Sequence, residues 1–418
     1  MPEQDRRADV LVIGGGPAGA SCAYWLADAG HDVVLVERKT YPRAKTCGDG
    51  LTPRSVRQLE DMGLSDELAA HHRFTGLRSH AFGKTLELKW PTIKGLPNYG
   101  YVVTRHDLDH AVAARASKVG AQVRDGHEAL EPLYENGLLR GAVVKDKSSG
   151  EHISLRSRYV VVADGANSRF GRALGTARTR SYPLGMAIRT YYESPLHAEP
   201  WIDSWLDVRD KNNHVLPGYG WIFPVGDGRV NVGVGLLSTF NQWKSINTSH
   251  LMDAFVAMAP PRWDLRPQTC LEAPTGGRLP MGLSVGPRVG PTWLVAGDAG
   301  GTINPFNGEG IAYAYETGRM AADAISTALF ANDGSALTLY ESRLIAEYGL
   351  YYKVARAFVH LIGHPQLMRV LVNTGMHSRT LMDWVLRIMA NLLEPDELGP
   401  AEAVYRAVAT LARLAPNR

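Results

Sequence analysis

The sequence predicts an α/β fold in which a nucleotide-binding βαβ unit opens the chain, an antiparallel sheet is inserted into it, and helices close it. Three observations carry this expectation. Asp9 to Arg38 reads as strand, glycine-rich turn, helix and strand. Aromatic, alternating strands dominate residues 186–285, and residues 331–418 read as helices.

The opening unit is the most specific signal. Val10 to Ile13 is a short apolar run suited to a strand buried on both faces. Gly14, Gly16 and Gly19 supply G-x-G-x-x-G: the first allows a tight turn, the second a close approach to pyrophosphate, the third helix–sheet packing. Pro17 suits the first turn of the helix, whose free N–H groups and positive dipole end then face the phosphates. Val33 to Val36 makes the second strand, and Glu37 closes it where it can accept from ribose hydroxyls.

The remaining elements follow in order. Pro42, Gly48, Gly50 and Pro53 mark a loop, and Pro53 opens a helix carrying Val56 and Leu59. Residues 76–100 read as short strands, with Leu86 and Leu88 alternating with Glu87 and Lys89. A strand at Tyr101–Thr104 leads through Arg105 into a helix that runs to Lys118 and ends at Gly120. Residues 121–163 alternate as strands and finish in Asp164-Gly165. Tyr219, Trp221 and Phe223 share one face of a strand. Gly226-Asp227-Gly228 can turn it into Val230–Gly235, a hairpin with Trp221 opposite Gly233 and Tyr219 opposite Gly235. Either the glycines leave a groove beside the rings, or the rings pack a helix and the glycines mark bulges. Thr292 to Ala296 is another buried strand, followed by Asp298 and a helix starting at Gly310-Ile311 and running to about Ala328.

Composition sets limits. A chain of 418 residues supports two or three domains, and a net charge of +3 gives no electrostatic case for nucleic acid. Three scattered cysteines fit a reduced compartment better than a disulfide framework or zinc site. Arg6-Arg7 precedes an apolar run, but Glu3, Asp5 and Asp9 spoil the basic flank of an export signal. A cytoplasmic protein without a membrane span is expected. Gly282-Leu-Ser284-Val-Gly286 resembles a hydrolase nucleophile elbow, but Pro287 follows where a helix should begin. His360 and His364 stand four apart, yet Gly363 and Pro365 break their helix and no third ligand is evident.

The N-terminal fingerprint, Asp164-Gly165 and the Asp298 turn together resemble the FAD-binding domain of the glutathione-reductase-like group, which includes aromatic hydroxylases and halogenases. Two segments are similar to the geranylgeranyl reductase family: Cys47-Gly48-Asp49-Gly50-Leu51 and Pro217-Gly-Tyr-Gly-Trp-Ile-Phe-Pro224. The second keeps Tyr-x-Trp-x-Phe-Pro but has one residue between Pro217 and Tyr219 where the family has two. The resemblance implies a discontinuous FAD domain (1–75, 101–185, 286–330), a substrate domain (76–100, 186–285) and a helical region (331–418). It puts FAD contacts on Ala18, Glu37, Cys47, Gly48, Gly50, Arg105, Ala129, Asp298, Gly310 and Ile311. Ala129 is placed by counting from Arg105.

The implied activity is saturation of a double bond in a polyprenyl chain, with the isoprenoid tail of menaquinone as the favoured substrate. The alternative is an FAD-dependent monooxygenase of an aromatic or lipid substrate. Tyr219, Trp221 and Phe223 would bind substrate, and Cys47, Tyr219 and Trp221 would serve the chemistry. The electron donor would be NAD(P)H or a redox protein, since no second dinucleotide fingerprint is present. Leu381 to Met389 offers an apolar arc too wide for one core-facing stripe, which suits a buried helix, a dimer interface or the cytoplasmic face of a membrane.

Overall fold

The computed structural model describes residues 7–216, 218–240, 243–394 and 399–414. Pro217 and the charges ahead of Arg7 therefore lie outside the described residues. The chain opens with β1 (Arg7–Ile13), α1 (Pro17–Asp28) and β2 (Val33–Val36), then α2 (Pro53–Asp61). Next come β3 (Gly76–Ala81), β4 (Lys84–Lys89) and α3 (Arg105–Lys118), followed by β5 (Gln122–Arg124), β6 (His127–Glu135), β7 (Leu138–Asp146) and β8 (His152–Val162). The middle of the chain supplies β9 (Leu184–Glu193), β10 (Trp201–Trp205), β11 (Gly218–Pro224), β12 (Arg229–Leu237), α4 (Thr248–Met258) and β13 (Thr275–Pro280). It ends with β14 (Trp293–Val295), α5 (Ile311–Ala331), α6 (Leu350–Ile362), α7 (Pro365–Gly375), α8 (Arg379–Met389) and α9 (Pro400–Leu414).

Among the described residues there are two large sheets. In the first, β14, β8, β1, β2 and β5 lie parallel in that order, while β7 pairs antiparallel with β8 and with β6. Val10, Val12, Val33, Leu35 and Val161 on one face pack on α1 and α5, whereas Leu11, Val34 and Val160 belong to the cluster on the other face. Burial on both faces explains the unbroken apolar runs.

The second sheet has the order β13-β9-β12-β11-β10-β3-β4. Every pair in it is antiparallel except β3 with β10, which run parallel from Gly76↔Trp201 to His80↔Trp205. This departs from a purely antiparallel sheet because the two strands come from separate excursions of the chain, and no hairpin joins them. A further departure is α4, hidden in the aromatic tract. Asn247 caps it by accepting from Ser249 N and His250 N, and its Leu251, Met252 and Phe255 pack beneath β11 and β12.

Candidate functional site

The three fingerprint glycines do three separate jobs. Gly14 leaves β1 at φ +101°, and a Cβ there would stand 2.4 Å from Ala163 O. A Cβ on Gly19 would meet Gly14 O at 1.8 Å, so α1 can pass this close to the strand only without a side chain. Gly16 is different: it N-caps α1 in extended backbone with no side-chain cap. The nearest atoms to a Cβ there are Arg105 Nη2 at 3.7 Å and Arg43 Nη2 at 3.9 Å. An open space bounded by a helix N-terminus and two guanidinium groups can accept an anion such as a pyrophosphate.

Those arginines are held by a buried chain of alternating charge. Glu37 Oε2 accepts from Gly15 N at 2.9 Å and Arg43 Nη2 at 3.2 Å. Arg43 Nη1 reaches Asp109 Oδ2 at 3.0 Å, and Asp109 takes two bonds of 2.7 Å from Arg105. Each charge is compensated, so the group is not left unpaired in the interior. Arg43 and Asp109 were not singled out in the sequence; their only signal was charge beside an expected phosphate loop. Ala18 is buried in the first turn of α1, its Cβ beneath Gly297 and its carbonyl beneath Gly318. Ala129 lies on β6 two residues past His127, whose N–H donates to Glu37 O at 2.8 Å.

A second helix start lies across the site. Gly310 N-caps α5 with no side-chain cap and no acid in the first turn. Asp298, in the turn Gly297–Gly300 after β14, would be 3.3 Å from a Cβ on Gly310, and its carboxylate lies 3.8 Å from Lys45 Nζ. Ile311 is buried behind it. The uncapped N–H groups favour negative charge at this point.

Between the two sits the loop around Cys47. The β11–β12 register pairs Tyr219 with Gly235 and Trp221 with Gly233, as the spacing predicts, and the aromatic face turns toward this loop. A Cβ on Gly48 would touch Phe223 at 3.4 Å and Trp221 at 3.5 Å, and one on Gly50 would touch Phe223 at 3.1 Å. The opposite face of β11 meets α4, where Phe255 fills the space beside Gly220. The expected open groove at Gly233 is corrected: a Cβ there would lie 2.1 Å from Trp221 Cζ2, because the indole occupies that space. Trp221 is only 5% exposed. Gly235 stays open, with no atom nearer than 3.6 Å to a Cβ.

Hydrogen bonds tie this face together. Trp221 Nε1 donates to Asn231 Oδ1 at 3.0 Å, and Asn231 Nδ2 donates to Cys47 O and Asp49 Oδ2, both at 2.8 Å. Tyr191 OH also donates to Asp49 Oδ2. Tyr219 OH donates to Asn307 O at 2.7 Å. Burial pushes the Cys47 thiol above its ordinary range, Asp49 adding to the effect while Arg105 and Lys45 oppose it. Burial likewise raises Asp49 to about 6, Glu309 to about 7 and Tyr219 to about 12. Asp49, Tyr191, Asn231 and Glu309 had no role in the sequence reading. The signal for Asp49 was a charged residue between two glycines, an invitation to a left-handed turn, and its φ is +64°.

The C-terminal arc is used differently from a free amphipathic face. On α8, Met382 and Leu386 are buried, and the helix packs against β4, α7 and α9. Arg387 reaches the buried Glu402 of α9 at 2.8 Å. Larger apolar exposure lies elsewhere, at Leu361 of α6, Val370 and Leu371 of α7, and Val404, Val408 and Leu411 of α9.

A family model described as an FAD binding domain matches residues 7–226. The chain is 37% identical over 414 residues to the menaquinone reductase of Mycobacterium tuberculosis, covering 99% of this chain and 98% of that protein. It is 31% identical over 369 residues to digeranylgeranylglycerophospholipid reductase 2 of Methanopyrus kandleri, covering 83% and 84%. Among solved structures, a geranylgeranyl bacteriochlorophyll reductase-like protein from Thermoplasma acidophilum superposes with a TM-score of 0.79 at 22% identity, covering 96% of this chain and 99% of that one. A flavin-dependent brominase gives a TM-score of 0.75 at 19% identity, covering 98% and 100%. At those identities the structural likenesses speak for the fold alone.

Proposed function

Because this chain belongs to the geranylgeranyl reductase family of FAD-dependent oxidoreductases, we propose that it saturates a double bond in the isoprenoid tail of menaquinone. The observation that carries this reading is the aromatic face of β11, turned onto the Cys47 loop between two uncapped helix starts. The domain division expected from the sequence belongs to the same proposal. FAD is the cofactor, and in its reduced form it supplies the hydride.

The residues divide the remaining work. Gly14, Gly16 and Gly19 shape the pyrophosphate cradle, Arg105 and Arg43 complete it, and Glu37 takes the ribose. Asp298, Gly310 and Ile311 with Gly48, Gly50, Ala18 and Ala129 form the rest of the cofactor bed. An isolated alkene has no conjugated carbonyl to accept electrons, so proton transfer to one carbon must run ahead of the hydride. Cys47 holds that proton at Sγ, and its raised affinity keeps the thiol neutral near pH 7. Positive charge then builds on the more substituted carbon. Tyr219 and Trp221 stabilise it through their rings by about 2 kcal/mol when desolvated, a factor of about thirty in rate. Phe223 and the open surface at Gly235 receive the prenyl chain. NAD(P)H or a redox protein supplies the electrons.

The protein also meets a membrane surface in this reading. Among the described residues no helix is long and apolar enough to cross a membrane. What supports contact is the run from Tyr348 to Met382, which lacks any carboxylate while carrying Lys353, Arg369 and Arg379 outside the interior, Arg356 being buried. Exposed Leu361, Val370 and Leu371 lie within that run.

Product mass tests the activity. Reduction adds two hydrogen atoms to the menaquinone tail, whereas a monooxygenase adds one oxygen atom. Cys47→Ala should lose alkene reduction while its cofactor is still reduced. Full alkene turnover by that variant would remove the thiol from the chemistry.

A further inference from the structure

We propose that the prenyl chain lies in a lane across the second sheet, running from Tyr219 to the exposed strand β13. The lane is open at its outer end, so the substrate class is a long tail reduced at an internal double bond. This rests on the reading of the site as a prenyl reductase and says where the unreacted part of the chain goes. Register defines the lane. Tyr219 of β11 pairs with Gly235 of β12, Gly235 with Ala187 of β9, and Ala187 with Gly277 of β13. Directly paired residues share a face. The opposite face, with Ile222, Val234 and Ile188, packs on α4.

Three strand spacings of about 4.8 Å make this row about 14 Å long, enough for a few isoprene units laid out straight. Past Tyr219 it holds no side chain larger than a methyl group. The rows on either side, about 7 Å away along the strands, form its walls. Trp221, Arg189 and Thr275 stand on one side, Leu237 and Leu279 on the other. Arg189 turns its charge away from the lane: its guanidinium lies 4.6 Å from the centre of the Tyr191 ring and pairs with Glu272. The lining that remains is apolar side chain and strand backbone, which suits a hydrocarbon.

The glycines on this face are of two kinds. A Cβ on Gly233 would lie 2.1 Å from the Trp221 indole and one on Gly185 2.5 Å from Met281 Cε, so neighbouring side chains fill those spaces. A Cβ on Gly235 would first meet Met186 O at 3.6 Å, and one on Gly277 would have nothing within 4 Å. Neither Gly235 nor Gly277 has a positive φ, so the backbone does not require glycine at either place. Glycine inside a strand costs stability, and one with empty space above it marks the approach of a ligand. The two empty positions flank Ala187 in a single row. Its inner end is Tyr219, whose hydroxyl would be 3.4 Å from a Cβ on Gly308. Its outer end, at Gly277, is exposed.

The test uses holoenzyme carrying Gly277→Cys with Cys270→Ser, alkylated by iodoacetamide and read by peptide mass so that Cys22 and Cys47 are scored separately. Saturating geranylgeraniol should slow alkylation of the introduced thiol about fivefold or more, whereas geraniol, too short to run from Tyr219 to β13, should slow it less than about twofold. Gly277→Val should melt at or above the wild-type temperature, because a branched side chain suits a strand and meets no atom there. Its kcat/KM for a long-chain menaquinone, relative to a short-chain analogue, should fall about tenfold. Gly235→Ala, nearer the reacting bond, should raise KM for both. No protection by geranylgeraniol, or an unchanged chain-length preference in Gly277→Val, would overturn the lane. A melting temperature well below wild type in Gly277→Val would give the glycine to packing and overturn it too. So would an introduced thiol that FAD alone shields relative to apoenzyme, since the cofactor would then fill the space. If the wild-type enzyme reduces no prenyl alkene, the function assigned above falls, while the protection experiment still decides whether a prenyl chain occupies the lane.

Discussion

Gly16 and Gly19 stand three residues apart in one motif, yet a side chain meets opposite fates at the two positions. At Gly19 it would collide with the Gly14 carbonyl at 1.8 Å, so Gly19→Val should fail to fold. At Gly16 the backbone is extended and the nearest atoms lie beyond 3.6 Å, so Gly16→Val should fold and fill only the space a phosphate needs. The expected outcome is soluble protein with native far-UV circular dichroism and FAD affinity at least about tenfold weaker, a loss of about 1.4 kcal/mol or more. Full flavin content after gel filtration would refute the assignment of this cradle. Both glycines were legible in sequence because the motif encodes backbone geometry. Arg43 was not, since nothing local tells a guanidinium held by Glu37 and Asp109 from one in solvent.

At the scale of elements, legibility follows how local the determining forces are. The β11–β12 hairpin could be registered from sequence because Gly226 and Gly228, both at positive φ, restrict the turn, and alternation then places every partner. Helix α4 could not, because Leu251, Met252 and Phe255 lie in a tract read as aromatic strands, and what selects the helix is burial beneath β11 and β12. The open groove at Gly233 failed for a related reason: pairing says which residues face each other, not which ring fills the space. The start of α5 yields a prediction of its own. Glu309 accepts from Thr52 at the head of α2 and from Ser55 Oγ at 3.4 Å, while its Oε2 is unpartnered. Its carboxyl is raised from 4.5 to about 7, chiefly by burial. A raised carboxyl stabilises the fold fully below pH 4.5 and loses that contribution as pH climbs through 7. Glu309→Gln should therefore melt like wild type at pH 4 and be more stable at pH 8, by on the order of 1–3 kcal/mol. Equal melting temperatures at pH 8 would show that Glu309 is already charged and satisfied.

For the whole molecule, the question is how a reductase with no membrane-crossing helix among its described residues reaches a lipid tail. The C-terminal helices connect directly to the candidate site: Met389 O at the end of α8 accepts from Asn304 Nδ2 at 2.9 Å and Asn307 Nδ2 at 3.2 Å. Asn307 O in turn accepts from Tyr219. Tyr351 of α6 donates to the same Met389 O at 3.1 Å, and Met376 and Val372 of α7 belong to the apolar cluster that includes Phe223, so both helices adjoin the elements that carry the aromatic strand. Val370 is 60% exposed and Leu371 and Leu361 more than a third, in a run without carboxylates. Burying three partly exposed side chains yields a few kcal/mol, at about 1.5–3 kcal/mol for each fully buried one. Each nearby Lys or Arg adds about 1 kcal/mol on an anionic surface. The sum describes reversible docking, not insertion. Purified enzyme should float with phosphatidylglycerol vesicles at low salt and far less with phosphatidylcholine or in 0.5 M salt, where the screening length is only a few ångströms, about 3–5 Å. Val370→Glu with Leu371→Glu should abolish flotation and raise KM for long-chain menaquinone in vesicles. The same pair should leave kcat on a detergent-soluble short-chain analogue within twofold, because neither residue touches the aromatic strand. Flotation that survives the double substitution would move the docking face to α9, where Val404, Val408 and Leu411 are the other exposed apolar row; enzyme that never floats would leave the lipid tail to be delivered by another route.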